Sequence, residues 1–196
     1  DVTENQLEKF RTDILEPTLK GLIAEKMDYR GFIFFGIMLS KSGPKLLEYN
    51  VRLGDPETQA VLPLMDFDFA AMCKAIIDGT LSDFNFKWKK GFSCAPVAVS
   101  GGYPASYKKG YKISIDDDKI SALENHETSC KVFIAGGKKD DSDILVTSGG
   151  RVLAASCVSD TFDNAWNGAY KMLEAINFTD MFYRKDIGLP GAAESL

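Results

Sequence analysis

The sequence predicts an α+β protein in which helices and strands are grouped rather than strictly alternated. Three observations support this. Apolar residues recur at helical spacing before Pro17 and again from Phe69 to Ile77; two extended segments flank the Lys41-Ser42-Gly43-Pro44 turn; and after Phe84 a series of short apolar runs ends in one amphipathic helix. With 196 residues, 45% hydrophobic and 11% aromatic, the chain can bury a substantial core in one domain or two small ones.

Thr3 and Gln6 form a capping-box pattern, and Leu7, Phe10, Ile14 and Leu15 continue the helix to Pro17. The proline is expected to bend or restart the helix, which resumes through Leu19, Leu22 and Ile23. Strands follow from Gly31 to Leu39 and from Lys45 to Leu53; the first is nearly all apolar, as a buried central strand should be.

The second strand carries a polar row. Glu48, Asn50 and Arg52 alternate with Leu47, Tyr49 and Val51, so the two sets face opposite ways and neighbours in the row lie about 6.6 Å apart. One carboxylate and one amide carbonyl suit magnesium, which is held by only one or two protein groups, and a guanidinium beside them adds forked donors for phosphate. A solvated polar face on an amphipathic strand has the same pattern, and the residues alone leave both readings open.

Gly54-Asp55-Pro56-Glu57 then turns the chain into the next helix. Proline at the first helical position and acidic residues near a helix N-terminus are sound structural chemistry in themselves. The functional alternative has Asp55 or Glu57 contacting a substrate amine. Asp66 is expected to cap a helix through Phe69, Met72, Cys73, Ile76 and Ile77, and Gly79 to stop it.

A domain boundary near Leu81 to Asp83 divides the chain into residues 1–82, residues 83–188 and a tail, 189–196. Beyond it Phe84, Phe86 and Trp88 alternate with polar residues as a strand, with further strands at Pro96–Ser100, Tyr111–Ile115, Lys131–Ala135, Ile144–Thr147 and Val152–Val158. The Ser148-Gly149-Gly150-Arg151 turn predicts that the last two form a hairpin. Asp160 or Thr161 caps a helix with Phe162, Ala165, Trp166, Ala169, Tyr170 and Leu173 on one face.

Several function classes are disfavoured. A net charge of -5 argues against a nucleic-acid binder, and Lys87, Lys89 and Lys90 read as a solvated strand face. Cys73, Cys94, Cys130 and Cys157 are far apart, with no CxxC pair and a single histidine in the whole chain, which points to reduced, buried thiols rather than zinc ligands. His126, the only histidine, lies in a polar stretch and supports no Ser-His-Asp or Cys-His set. No run is long enough to span a membrane and no signal peptide precedes the first helix, so a cytoplasmic protein is expected. The Ser100-Gly101-Gly102 loop reads as a tight turn or as an anion-approaching backbone.

Gly31-Phe32-Ile33-Phe34-Phe35-Gly36-Ile37-Met38-Leu39 and the run Leu47 to Gln59, with Leu53-Gly54-Asp55-Pro56-Glu57 inside it, resemble the end of the ATP-grasp domain of the phosphoribosylamine-glycine ligase family. Ser100-Gly101-Gly102-Tyr103-Pro104 with Tyr107-Lys108-Lys109-Gly110, then Thr147 to Leu153, then Phe182-Tyr183-Arg184-Lys185-Asp186-Ile187-Gly188, are similar to that family's C-terminal landmarks, in the family's order.

The resemblance implies the C-terminal part of an ATP-grasp domain followed by a small β-rich domain. It also implies an enzyme of purine biosynthesis that joins glycine to 5-phosphoribosylamine through a glycyl phosphate, using ATP and Mg2+ or Mn2+. Glu48 and Asn50 would be the metal ligands, Arg52 the catalytic cation, and Gly54, Asp55 and Glu57 substrate contacts. The N-terminal domain and the adenine-binding portion have no counterpart in the sequence, which is therefore expected to be a C-terminal fragment needing the rest of its enzyme. Two departures matter. Ile37 stands where many ATP-grasp enzymes have an acidic metal ligand, and Ile134 where relatives have a histidine. A non-catalytic binding module, or another ATP-grasp carboxylate-amine ligase, is the alternative.

Overall fold

The computed structural model describes residues 2–189. They gather into two compact units: one contains the chain up to Gly54 together with Phe67–Phe86, the other Asp55–Asp66 together with the chain from Lys87 onward. The expected tail, apart from Leu189, lies outside the described residues. No helix among the described residues is long and apolar enough to cross a membrane.

The first unit opens with helix α1 (Glu4–Phe10), capped by Thr3 and Gln6 through the reciprocal bonds of a capping box. Where Pro17 is expected to bend or restart the helix, the helical type changes without a gap in the helix. A π-helical turn, Arg11–Leu15, leads directly into α2 (Glu16–Ala24), with the Glu16 N–H donating to the Arg11 carbonyl five residues back. Widening the turn ahead of the proline makes room for its ring and absorbs its missing N–H, so the helix continues.

Strands β1 (Phe34–Ser40) and β2 (Gly43–Asn50) form an antiparallel pair. Two expectations change here. Among the described residues β1 pairs only with β2 and is half-buried to exposed, so it is not a buried central strand. Strand β2 stops at Asn50, and Val51 and Arg52 form a bend. The register passes from Gly36 opposite Glu48 to Ile37 opposite Leu46, leaving Leu47 as a bulged residue.

The short helix α3 (Thr58–Val61) belongs to the second unit and begins two residues after Pro56, which therefore does not occupy its first position. Helix α4 (Phe69–Asp78) returns to the first unit, capped by Asp68 rather than Asp66 because the Asp68 carboxylate accepts the Ala70 and Ala71 N–H groups. Gly79 ends it at φ 72°. The expected strand from Phe84 to Trp88 does not form. Phe84 and Phe86 instead pack edge-on against Phe67 in the first unit, their ring centres each 5.5 Å from it.

The second unit is built on β3 (Phe92–Cys94), β4 (Val97–Ser100), β5 (Ser114–Ile115), α5 (Asp117–Ser121), β6 (Thr128–Ile134), β7 (Gly137–Lys139), β8 (Leu145–Thr147), β9 (Arg151–Ser159), α6 (Phe162–Glu174), β10 (Ile176–Asn177) and β11 (Met181–Phe182). Strand β9 is the centre: β6 pairs along one side, β3 and then β4 along the other, with β11 beyond β4, all antiparallel. The expected hairpin of β8 with β9 is not formed. Strand β8 pairs with β7, and the Ser148–Gly150 turn carries the chain from that small sheet to the large one.

Seven of the nine residues of β9 are fully buried, plus Arg151 and Val158 in part, because both faces are covered. Leu153, Ala155 and Cys157 join the core with Ala169, Met172 and Leu173 of α6, while on the opposite face the Ser156 hydroxyl donates to the Gln59 carbonyl at 2.7 Å. Small side chains let the helix approach closely: a Cβ on Gly168 would lie 2.4 Å from the Cys157 sulfur. Thr161 is the residue that caps α6.

Candidate functional site

Glu48 and Asn50 are brought together. Asn50 Nδ2 donates to Glu48 Oε1 at 2.9 Å, which fixes the amide so that its carbonyl oxygen and the second carboxylate oxygen remain as hard donors. The Glu48 side chain lies over Gly36 of the neighbouring strand, where any Cβ would come within 2.9 Å of its Cγ. A glycine inside a strand signals such a close approach. Tyr49 points the other way: its ring meets Phe35 edge-on at 5.4 Å and its hydroxyl lies 2.7 Å from Thr18 Oγ1.

The predicted row breaks after Asn50. Arg52 stands in the bend, exposed, its Nη1 donating to the Leu53 carbonyl at 2.9 Å. Gly54 belongs to the first unit and is buried; Asp55 and Glu57 belong to the second and are exposed. Among the described residues no group of three or more His, Cys, Asp or Glu side chains is arranged to hold a metal. A two-donor arrangement of Glu48 and Asn50 is compatible with magnesium chemistry, since that ion keeps most of its positions for water and phosphate oxygens.

In the second unit, Asp55 is held from two sides. Arg151 Nη1 donates to its carbonyl oxygen at 2.7 Å and Nη2 to Oδ2 at 3.1 Å, while Gln59 Nε2 donates to Oδ1 at 3.1 Å. Gln59 lies only four residues further on, so its contact with Asp55 is local in sequence. That of Arg151 is not, being 96 residues away.

Beside this contact a cavity of about 400 Å³ is lined by Pro56, Val97, Val99, Tyr103, Arg151 and Arg184, among others. Arg184 is paired with Asp186 through Nε at 2.9 Å and Nη2 at 2.6 Å, and those hydrogen bonds hold the Asp186 carboxyl below its usual range. The Ser100-Gly101-Gly102 loop is a tight structural turn. Gly102 has φ 95°, a Cβ on Gly101 would strike the Asp180 carbonyl at 2.7 Å, and Ser100 Oγ donates to the Gly149 carbonyl at 2.9 Å.

Residues 93–190 match the family model of the phosphoribosylglycinamide synthetase C domain, and residues 1–58 that of the phosphoribosylglycinamide synthetase ATP-grasp (A) domain. The chain is 50% identical over 186 residues to a phosphoribosylamine-glycine ligase of Clostridium acetobutylicum, covering 95% of this chain and 42% of that protein. It is 44% identical to one of Fusobacterium nucleatum, covering 92% of this chain and 41% of that protein. It thus spans about 42% of the length of the curated relatives it matches. Among solved structures, the phosphoribosylamine-glycine ligase of Thermotoga maritima superposes with a TM-score of 0.77 at 32% identity, covering 95% of this chain and 44% of that one. The biotin carboxylase domain of Hydrogenobacter thermophilus 2-oxoglutarate carboxylase superposes at 0.53 with 14% identity over 93% of this chain and 38% of that one, which is a likeness of fold.

Proposed function

Because this chain belongs to the phosphoribosylglycinamide synthetase family, we propose that it is the C-terminal part of a carbon-nitrogen ligase that joins glycine to 5-phosphoribosylamine at the expense of ATP. Residues 1–82 are taken as the end of the ATP-grasp domain and 83–188 as the family's C-terminal domain. The products are glycinamide ribonucleotide, ADP and phosphate.

In this reading ATP phosphorylates the glycine carboxylate, which gives the carbonyl a leaving group, and the amine of 5-phosphoribosylamine displaces phosphate from the glycyl phosphate. Glu48 and Asn50 would hold a divalent cation, Mg2+ or Mn2+, that neutralises phosphate charge when bound. Arg52 lends a guanidinium to the charge developing on the transferred phosphoryl group. Asp55, aimed by Arg151 and Gln59, is assigned with Gly54 and Glu57 to contacts with the amine-bearing substrate.

The observation that carries this reading is the Glu48 side chain, its Cγ seated over Gly36 and its carboxylate bonded to Asn50, within the segment that matches the family's ATP-grasp domain. The test is ADP release by the full-length protein that contains these residues. It should require glycine, 5-phosphoribosylamine and a divalent cation together. ADP release that ignores either substrate would overturn the assignment.

A further inference from the structure

Three of the four cysteines stand in one row across the large sheet. In register, Cys157 of β9 faces Cys94 of β3 on one side and Cys130 of β6 on the other, so all three side chains project from the same face. All three are buried and free. The Cys130 and Cys157 sulfurs are 3.7 Å apart, whereas the Cys94 sulfur is engaged with the Ile187 carbonyl.

The two neighbours of Cys157 are not equivalent. Ala155 donates its N–H to the Pro96 carbonyl, on the side of β3 and β4. Residues two apart in a strand direct their backbone groups the same way, so Cys157 also directs its own toward β3 and meets Cys130 as a non-hydrogen-bonded pair. In such pairs the Cα atoms are only about 4.5 Å apart, against about 5.5 Å in the hydrogen-bonded kind. That separation falls within the range disulfides span, about 4.4–6.8 Å.

We propose that Cys130 and Cys157 are a redox-modification site, a thiol pair that a hydroperoxide converts into a cross-strand disulfide. Among the described strands β6 pairs only with β9, so Cys130 lies on the edge strand, 5% exposed, while Cys157 is wholly buried. The Cys157 thiol beside it holds the Cys130 thiol below its usual range, and the Cys130 contact together with burial pushes Cys157 up. Cys130 is therefore the attacking group. Its thiolate takes the outer oxygen of the hydroperoxide, which leaves as an alcohol, or as water from hydrogen peroxide. The resulting sulfenic acid is attacked by Cys157, which gives up its proton as the second water departs and the S–S bond forms. Burial pushes the Cys94 thiol up to about 11 and keeps it out of this exchange.

The test treats the full chain with hydrogen peroxide, blocks remaining thiols in denaturant and maps the peptides. The expected result is a loss of two titratable thiols, a mass lower by two hydrogens, a peptide pair joined through Cys130 and Cys157, and full reversal by dithiothreitol. Cys94→Ser should leave the link intact, and oxidation in denaturant should abolish its selectivity. A Cys94–Cys157 link in its place, or Cys130 and Cys157 still free when the half-buried Cys73 is already oxidised, would overturn the proposal. So would an identical link pattern in folded and denatured chains.

Discussion

Arg151 brackets Asp55, with Nη1 on its carbonyl oxygen at 2.7 Å and Nη2 on its carboxylate at 3.1 Å. One end of the central strand thereby fixes the turn that follows the Glu48–Asn50 strand in sequence. A fork of this kind sets direction as well as distance, which an ammonium cannot do.

Arg151→Lys in the full-length protein is accordingly expected to lower turnover by about 10²-fold, the scale of a roughly 1 Å misplacement in a reacting constellation. The side chains are 39% and 43% exposed, so the loss of stability should stay within about 1 kcal/mol. Steady-state kinetics and a melting curve measured on the same preparation separate the two effects; unchanged turnover would remove Arg151 from the site.

Glu48→Gln keeps the shape and removes the charge. It should raise the Mg2+ concentration needed for half-maximal turnover at least tenfold, roughly the scale on which even outer-shell partners act, without altering the fold. Titrating Mg2+ against ADP release measures this directly, and a wild-type Mg2+ dependence would contradict the ligand assignment.

Tyr49→Phe serves as the control on the opposite face of the strand. It loses the hydroxyl contact with Thr18, worth about 0.5–1.5 kcal/mol, and should leave turnover and Mg2+ dependence near normal. A catalytic defect as large as that of Glu48→Gln would refute the two-face reading.

Gly168→Ala should destabilise the chain by about 1–3 kcal/mol, although alanine is the better helix former, because its Cβ would meet the Cys157 sulfur at 2.4 Å. Pairing it with Cys157→Ala removes the obstacle. A double-mutant cycle from urea melts should show a favourable coupling of at least about 0.5 kcal/mol; simple additivity would mean that the close approach does not govern the site.

Tyr170→Phe tests how the C-terminal segment is attached. The hydroxyl donates to the Arg184 carbonyl at 2.8 Å and accepts the Ile187 N–H at 3.1 Å. Losing both should cost about 1–2 kcal/mol and speed amide exchange at Ile187. Burial raises the Tyr170 pKa above its ordinary value, so the neutral form is favoured in the folded state. Its contribution is complete below the unfolded pKa near 10 and declines as pH rises beyond it. That alkaline component should be missing from the variant.

The sequence by itself determined what depends on near neighbours. Thr3 with Gln6, Thr161 at the start of α6 and Gly79 at the end of α4 act through bonds or dihedral angles within a few residues, and the structure has all three. The alternation that sets Glu48 and Asn50 against Tyr49 is likewise a property of any extended chain. The local readings that failed did so where a competing partner lay elsewhere. Phe84 and Phe86 alternate like a strand, yet an aromatic partner distant in sequence, Phe67, drew them into a cluster instead. The glycine-rich turn before Arg151 has the composition of a hairpin, but β9 had three better partners in β3, β4 and β6, so β8 was left to β7.

Only the tertiary structure decided the pairings that join distant parts of the chain. Arg151 with Asp55 and Cys130 with Cys157 depend on the register of β9 and on the packing around it, and a register has no local sequence signature. A shift of one residue would have turned Cys157 to the opposite face, away from both of its partners. What fixes the register is the burial of both faces of β9, a cooperative property of the assembled sheet and helix that no window of sequence contains.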